Sequence, residues 1–99
     1  MRASVQLLGP VQLRVRDELV DLRGARQQRL LAVLALHHGA VVSTDRVIDA
    51  VWAEGELPPD PRSTLRTYLS RLRHSFDDAH AIESRDGGYC LSIAETVVD

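Results

Sequence analysis

The chain has 99 residues, 44% of them hydrophobic and 26% charged, with a formal net charge of −2. These totals describe one globular domain with a single modest core. They exclude a membrane span, because the longest apolar stretch, around "RLLAVLALHH", falls far short of the roughly 20 residues a span needs. The single cysteine, Cys90, excludes an internal disulfide and offers no metal-ligand spacing.

The N-terminus shows no secretory signal pattern, so the expected location is the cytoplasm. All twelve basic residues are arginines. A GC-rich coding genome is reason enough for that bias. Every cationic site is nevertheless a guanidinium, whose fork suits phosphates and guanine edges better than an ammonium does.

Residues 3–8, "ASVQLL", alternate loosely and stop at Gly9-Pro10, a turn signal. "VQLRV" alternates cleanly, with Val11, Leu13 and Val15 on one face. "RDE" reads as a tight polar turn and "LVDL" as a third short strand. Short strands with brief turns predict an antiparallel meander. The period then changes to that of a helix from Ala25 to His38, with Leu30, Leu31, Leu34 and Val33 as its apolar stripe and Gly39 as its C-cap. "AVV" is a short extended link. Ser43 is the expected N-cap of a second helix running to about Ala53, with Asp45 in its first turn and Val47, Ile48, Val51 and Trp52 facing inward. "EGELPPDP" is a loop, because its glycine and prolines prevent a continuous helix.

The third helix has the clearest start. Asp60 is placed to cap it, and Pro61 occupies the first helical position, where a missing N–H costs nothing. Leu65, Leu69, Leu72 and Phe76 recur at spacings of four, three and four. Beyond the helix, "AIES" and "YCLSI" form two strands joined by "RDGG", a hairpin over about 82–93.

Residues 61–76, "PRSTLRTYLSRLRHSF", hold four arginines and no carboxylate within an acidic chain. With the apolar stripe turned inward at ~100° per residue, Ser63, Thr64, Thr67, Ser70, Arg71 and His74 face outward. Arg62, Arg66 and Arg73 lie on one flank and Tyr68 on the other. Short hydroxyls let such a face slide into a groove, and Arg71 can reach a guanine edge with two hydrogen bonds. The flanking arginines and Tyr68 suit phosphates. An ordinary solvated helix would mix charge signs and gain i,i+4 pairs; Arg62 and Arg66 are instead like charges at that spacing.

The ordered segments "LLGPVQLRV", "ARQQRLLAVLALHHGAVVSTDRVIDAVW", "STLRTYLSRLR" and "SRDGGYCL" resemble the OmpR/PhoB-type winged-helix DNA-binding domain. More closely, they resemble the N-terminal domain of SARP-type (antibiotic regulatory protein) activators of actinobacteria. The resemblance covers about residues 4–94. It implies an α+β winged helix-turn-helix: an N-terminal antiparallel sheet, three helices and a C-terminal β-hairpin wing, one domain over 1–99. Thr67 and Arg71 would then meet bases, while Thr64, Tyr68 and Arg73 would lie near the backbone. Ser43 and Trp52 would approach phosphates or brace the recognition helix, and Arg85 would enter the minor groove. The implied partner is double-stranded DNA at direct repeats, bound by head-to-tail pairs near RNA polymerase. Receiver and activation domains would have to reside elsewhere, in a longer parent chain or another protein. Two wing positions depart from the family pattern Arg-Gly-x-Gly-Tyr-Arg: Asp86 stands for the first glycine and Cys90 for the last arginine.

The remaining features read as structural. Cys90 is expected to be a half-buried strand residue. His37 and His38 complement a helix dipole, and Asp77 and Asp78 stop the third helix. No nucleophile–base set, phosphate loop or metal spacing is present, so neither catalysis nor a cofactor is expected. The alternative function is a winged-helix module for protein interaction, with weak or lost DNA affinity. The acidic balance, Asp86 and Cys90 favour it.

Overall fold

The computed structural model describes residues 3–92 together with the backbone of 96–98. Three strands come first: β1 (Ala3–Gln6), β2 (Gln12–Val15) and β3 (Glu18–Val20). β2 pairs antiparallel with both neighbours, as the alternating pattern predicts. The first strand is shorter than its apolar run, because the Gln6 amide folds back to donate to the Leu8 and Pro10 carbonyls and leaves Leu8 exposed. The "RDE" turn narrows to Arg16 and Asp17, with φ of 53° and 67°. Two left-handed residues in succession are the signature of the type I′ hairpin, which matches the strand twist. Neither residue is glycine, so the turn stores backbone strain.

Helices α1 (Ala25–Leu36), α2 (Thr44–Val51) and α3 (Pro61–Phe76) follow. α1 ends two residues before the expected His38. His37 is the cap, and its ring nitrogen Nδ1 lies 3.0 Å from the Val33 carbonyl. Gly39 is needed one step later: at φ +85° it turns the chain so that its N–H meets the Leu91 carbonyl at 3.0 Å. α2 starts on Ser43 as expected, whose Oγ accepts from the Arg46 N–H at 3.3 Å. α3 starts on Asp60, whose carboxylate accepts from the Ser63 N–H at 3.2 Å. Its end is Asp77 in the left-handed conformation, held by an ion pair with Arg16 at 3.0 Å. The strained β2–β3 turn is thus tied to the end of α3.

The link "AVV" contributes β4 (Val42–Ser43), which pairs with β6 (Gly88–Leu91), itself the partner of β5 (Ile82–Arg85). The hairpin therefore closes as a three-stranded sheet in the order β4-β6-β5. Ile93, the last residue of the expected hairpin, lies outside the described residues. A further strand, β7 (Thr96–Val98), runs parallel to β1 and completes the first sheet as β3-β2-β1-β7. The sequence pattern predicts no strand there.

One core joins both sheets and all three helices. Leu30, Leu31 and Leu34 of α1, Val47 and Val51 of α2, and Leu65, Leu72 and Phe76 of α3 are fully buried. Fully burying one such side chain is worth about 1.5–3 kcal/mol. With Leu69, which is equally buried, four such residues along α3 fix the rotation of that helix, and with it the identity of its outer face.

Candidate functional site

The outer face of α3 carries the expected residues. Ser63, Arg66, Thr67, Ser70, Arg71 and His74 are exposed, and Thr64 is half-buried. Pro61 and the Asp60 cap start the helix, and the Leu65–Leu69–Leu72–Phe76 stripe seats it on the core. The Thr64 hydroxyl donates to the Asp60 carbonyl at 3.1 Å, while that of Thr67 reaches the Ser63 carbonyl only at 3.5 Å. Thr67 is therefore the looser hydroxyl and the easier to redirect to an external group.

Arg71 is held without being neutralised. Its guanidinium lies 5.8 Å from the centroid of the Tyr68 ring. Tyr68 in turn stacks on Trp52, with centroids 5.7 Å apart and planes at 24°. Trp52 is only 5% exposed, so it serves as the base of this column and braces α3 from the end of α2. The column uses the i,i+3 neighbourhood of Tyr68 and Arg71 on one helix and the attraction of a cation to a ring face. From α1, the buried Gln27 amide donates to the Tyr68 carbonyl at 3.2 Å and fixes the middle of α3.

Two of the other three arginines of α3 are engaged within the protein. Arg62 pairs with Asp45 at 3.0 Å, linking α3 to the first turn of α2. Arg73 is half-buried; its Nε donates to the Ile82 carbonyl at 2.9 Å, which ties α3 to β5. Ser43 is exposed beside the wing, with its hydroxyl already capping α2.

In the hairpin, the expected four-residue link "RDGG" reduces to a two-residue turn of Asp86 and Gly87, with φ of 50° and 76°. Asp-Gly is a favoured type I′ pair, so Asp86 preserves the turn geometry where the family pattern has glycine. Gly88 is required for a different reason. A Cβ there would stand 2.2 Å from the Val42 carbonyl oxygen, across the β4–β6 pairing. The Gly87 carbonyl accepts from both the N–H and the hydroxyl of Thr44, at 3.1 and 3.0 Å, and so anchors the wing tip to the start of α2.

Arg85 donates to Glu83 at 2.6 Å, and the other Glu83 oxygen accepts from Ser92 at 2.9 Å. The hydrogen bonds from Ser92 and Arg85 and the Arg85 charge hold the Glu83 carboxyl below its usual range. The carboxylate beside the wing cation is that of Glu83, not that of the turn substitution Asp86. The signal was present, since residues two apart share one face of a strand. Cys90 is 1% exposed, more deeply buried than expected, and its thiol faces the Leu91 carbonyl. Among the described residues, no group of three or more His, Cys, Asp or Glu side chains could hold a metal, and no helix is long and apolar enough to cross a membrane.

Comparison with known proteins identifies the family of this fold. The family model described as "Transcriptional regulatory protein, C terminal" matches residues 17–91. The regulatory protein AfsR of Streptomyces coelicolor is 36% identical over 94 residues, which cover 94% of this chain and 9% of AfsR. The transcriptional regulatory protein MoaR1 of Mycobacterium tuberculosis is 35% identical, over 90% of this chain and 30% of MoaR1. The chain thus spans less than a third of the curated relatives it matches. The structure of Mycobacterium tuberculosis EmbR, in complex with a low-affinity phosphopeptide, superposes with a TM-score of 0.81 at 29% identity, covering 93% of this chain and 25% of EmbR. The Klebsiella pneumoniae RstA DNA-binding domain, solved in complex with the RstA box, shares the fold at a TM-score of 0.62 and 23% identity, with 82% of each chain covered.

Proposed function

The chain belongs to the transcriptional regulatory protein C-terminal family, the OmpR/PhoB-type winged-helix DNA-binding domain of bacterial regulators and not an enzyme; on that premise we propose that it reads duplex sequence with α3 in the major groove and places its wing at the neighbouring minor groove. The observation that carries this reading is the α3 face: exposed hydroxyls around an arginine that an aromatic ring positions and no carboxylate neutralises. In that role Arg71 donates two hydrogen bonds to a guanine edge, and Thr67 contacts an adjacent base. Ser63, Ser70 and His74 line the groove walls. Thr64, Arg66 and Tyr68 lie toward the phosphates, joined by Arg62 once it leaves Asp45. Arg73, Ser43 and Trp52 position these groups from behind. Arg85 meets the minor groove, where narrow A·T-rich stretches attract arginine. Binding at direct repeats by head-to-tail pairs, close to RNA polymerase, completes the proposal, with residues 1–99 as one DNA-binding unit.

A second reading follows from the engaged arginines. Arg62, Arg73 and Arg85 all have partners inside the protein, as a winged helix used for protein interaction would allow. Titration against a duplex selected from a random pool, at two salt concentrations, separates the two. DNA binding through Z phosphates gives a slope of about −0.9Z in log K against log salt. A flat response, or no binding at low salt, rejects the DNA reading for this chain.

A further inference from the structure

A second group of arginines lies beside α3 but belongs to other elements. Arg23 precedes α1, and Arg26 lies in its first turn. Together with Arg71 and Tyr68 of α3 they line an open cleft of about 380 Å³. Arg29 lines it too, but its charge is met by Glu54 at 3.1 Å. No carboxylate lines this cleft, and among the described residues none forms an ion pair with Arg23, Arg26 or Arg71. The Gln27–Tyr68 hydrogen bond fixes the start of α1 against the middle of α3, so the three guanidiniums are gathered by the fold. Arg26 extends toward the loop that leads into α3: a Cβ built on Gly55 would stand 3.5 Å from its Nη2.

Asp21 lines the adjoining cleft with Arg23 and Arg71 but pairs with neither; three cations without an ion pair around one small cleft repel each other and are stabilised by a shared anion. The first turn of α1 carries no acidic residue, and Gly24 offers no side-chain cap, so the helix end contributes potential of the same sign. The guanidiniums remain the recognition element, since their forks match a phosphate's oxygens.

We infer that Arg23 and Arg26, in the cleft beside the base-reading Arg71, form a clamp for a backbone phosphate of the DNA strand flanking the groove that α3 occupies. The inference rests on the reading of α3 as the DNA-facing helix. It adds the start of α1 to the interface and leaves base reading to Arg71. The clamp recognises phosphate and carries no base preference of its own.

The test uses the whole chain and a duplex selected by it from a random pool. Arg23→Gln and Arg26→Gln should each weaken every duplex alike, by roughly ten-fold at low salt, and reduce the salt slope by about 1. Arg14→Gln removes one charge from β2 that forms no ion pair among the described residues, and should leave both quantities unchanged. A slope equal to wild type in both clamp variants, while Arg71→Ala still loses affinity, overturns the clamp and leaves the DNA reading intact. An equal loss in Arg14→Gln overturns it as well, by reducing the effect to net charge. Failure of the unmodified chain to bind any duplex removes both readings together. Backbone-amide NMR on the unmodified chain gives a test free of folding effects. The amides of residues 24–27 should shift with duplex; if they shift only with inorganic phosphate, the cleft is a free-anion pocket and the clamp falls.

Discussion

The α3 face and the wing each present an arginine, and they hold it by opposite means. Arg71 rests 5.8 Å from the Tyr68 ring centroid, which orients the cation and leaves its charge unspent. Arg85 donates to Glu83 at 2.6 Å, which orients the cation and cancels its field. The supports differ as well. α3 is one continuous segment seated by four buried side chains, whereas the wing is assembled from three separated strands that meet at a glycine with no room for a Cβ. A binding surface can thus combine a site ready for its ligand with one that must first release an internal partner.

The largest effect should come from the seat of α3. Phe76→Ala removes a fully buried ring and should cost about 3–5 kcal/mol of stability in urea titration. A cost under about 1 kcal/mol would mean that the end of α3 is not held by the core as described. Gly88→Ala tests the wing's assembly. Its Cβ meets a backbone carbonyl that cannot rotate away, so a loss of about 1–3 kcal/mol or more is expected, with the β4–β6 amides exchanging fastest. If hydrogen exchange there is unchanged, the wing is looser than the β4–β6 pairing requires.

Next comes the contrast between the two arginines. Arg71→Ala should cost about 1–3 kcal/mol on the preferred duplex and flatten the preference at one base position. Uniform weakening on all sequences would instead make Arg71 a phosphate contact. The smallest effect concerns Glu83. Glu83→Gln frees Arg85 and should tighten duplex binding by about five-fold at most, the range of an exposed ion pair. That gain should vanish in the double variant with Arg85→Ala; if it persists, Glu83 acts on DNA directly and not through Arg85. The pH sense follows from the carboxyl's lowered pKa. The Glu83 contribution to folding is fully present above its usual value of 4.5 and is lost as pH falls through the lower folded value. Glu83→Gln should remove this acid-side loss from the urea midpoint.

Much of this was legible from local pattern. The helix seat, the caps at Ser43 and Asp60 and the outward hydroxyls followed from period and capping chemistry, which act within four residues. The strand ends drifted because Gln6 and the Arg16-Asp17 turn decide them through specific hydrogen bonds and left-handed backbone. Strand alternation puts Glu83 on the same face as Arg85, whereas Asp86 belongs to the turn and acts through its backbone.

The amino-acid sequence by itself determined the three helices, the orientation of α3 and the arginine-rich face, because apolar spacing encodes which side of a helix is buried. The tertiary structure alone decided which arginines stay unpaired. Whether a guanidinium meets Asp45, the Ile82 carbonyl, the Tyr68 ring or no counter-charge depends on how separate elements pack. The demand for glycine at 88, the anchoring of the wing tip by Thr44 and the strand β7 beside β1 are of the same kind. They arise from contacts between residues far apart in the chain, where no local period carries the information.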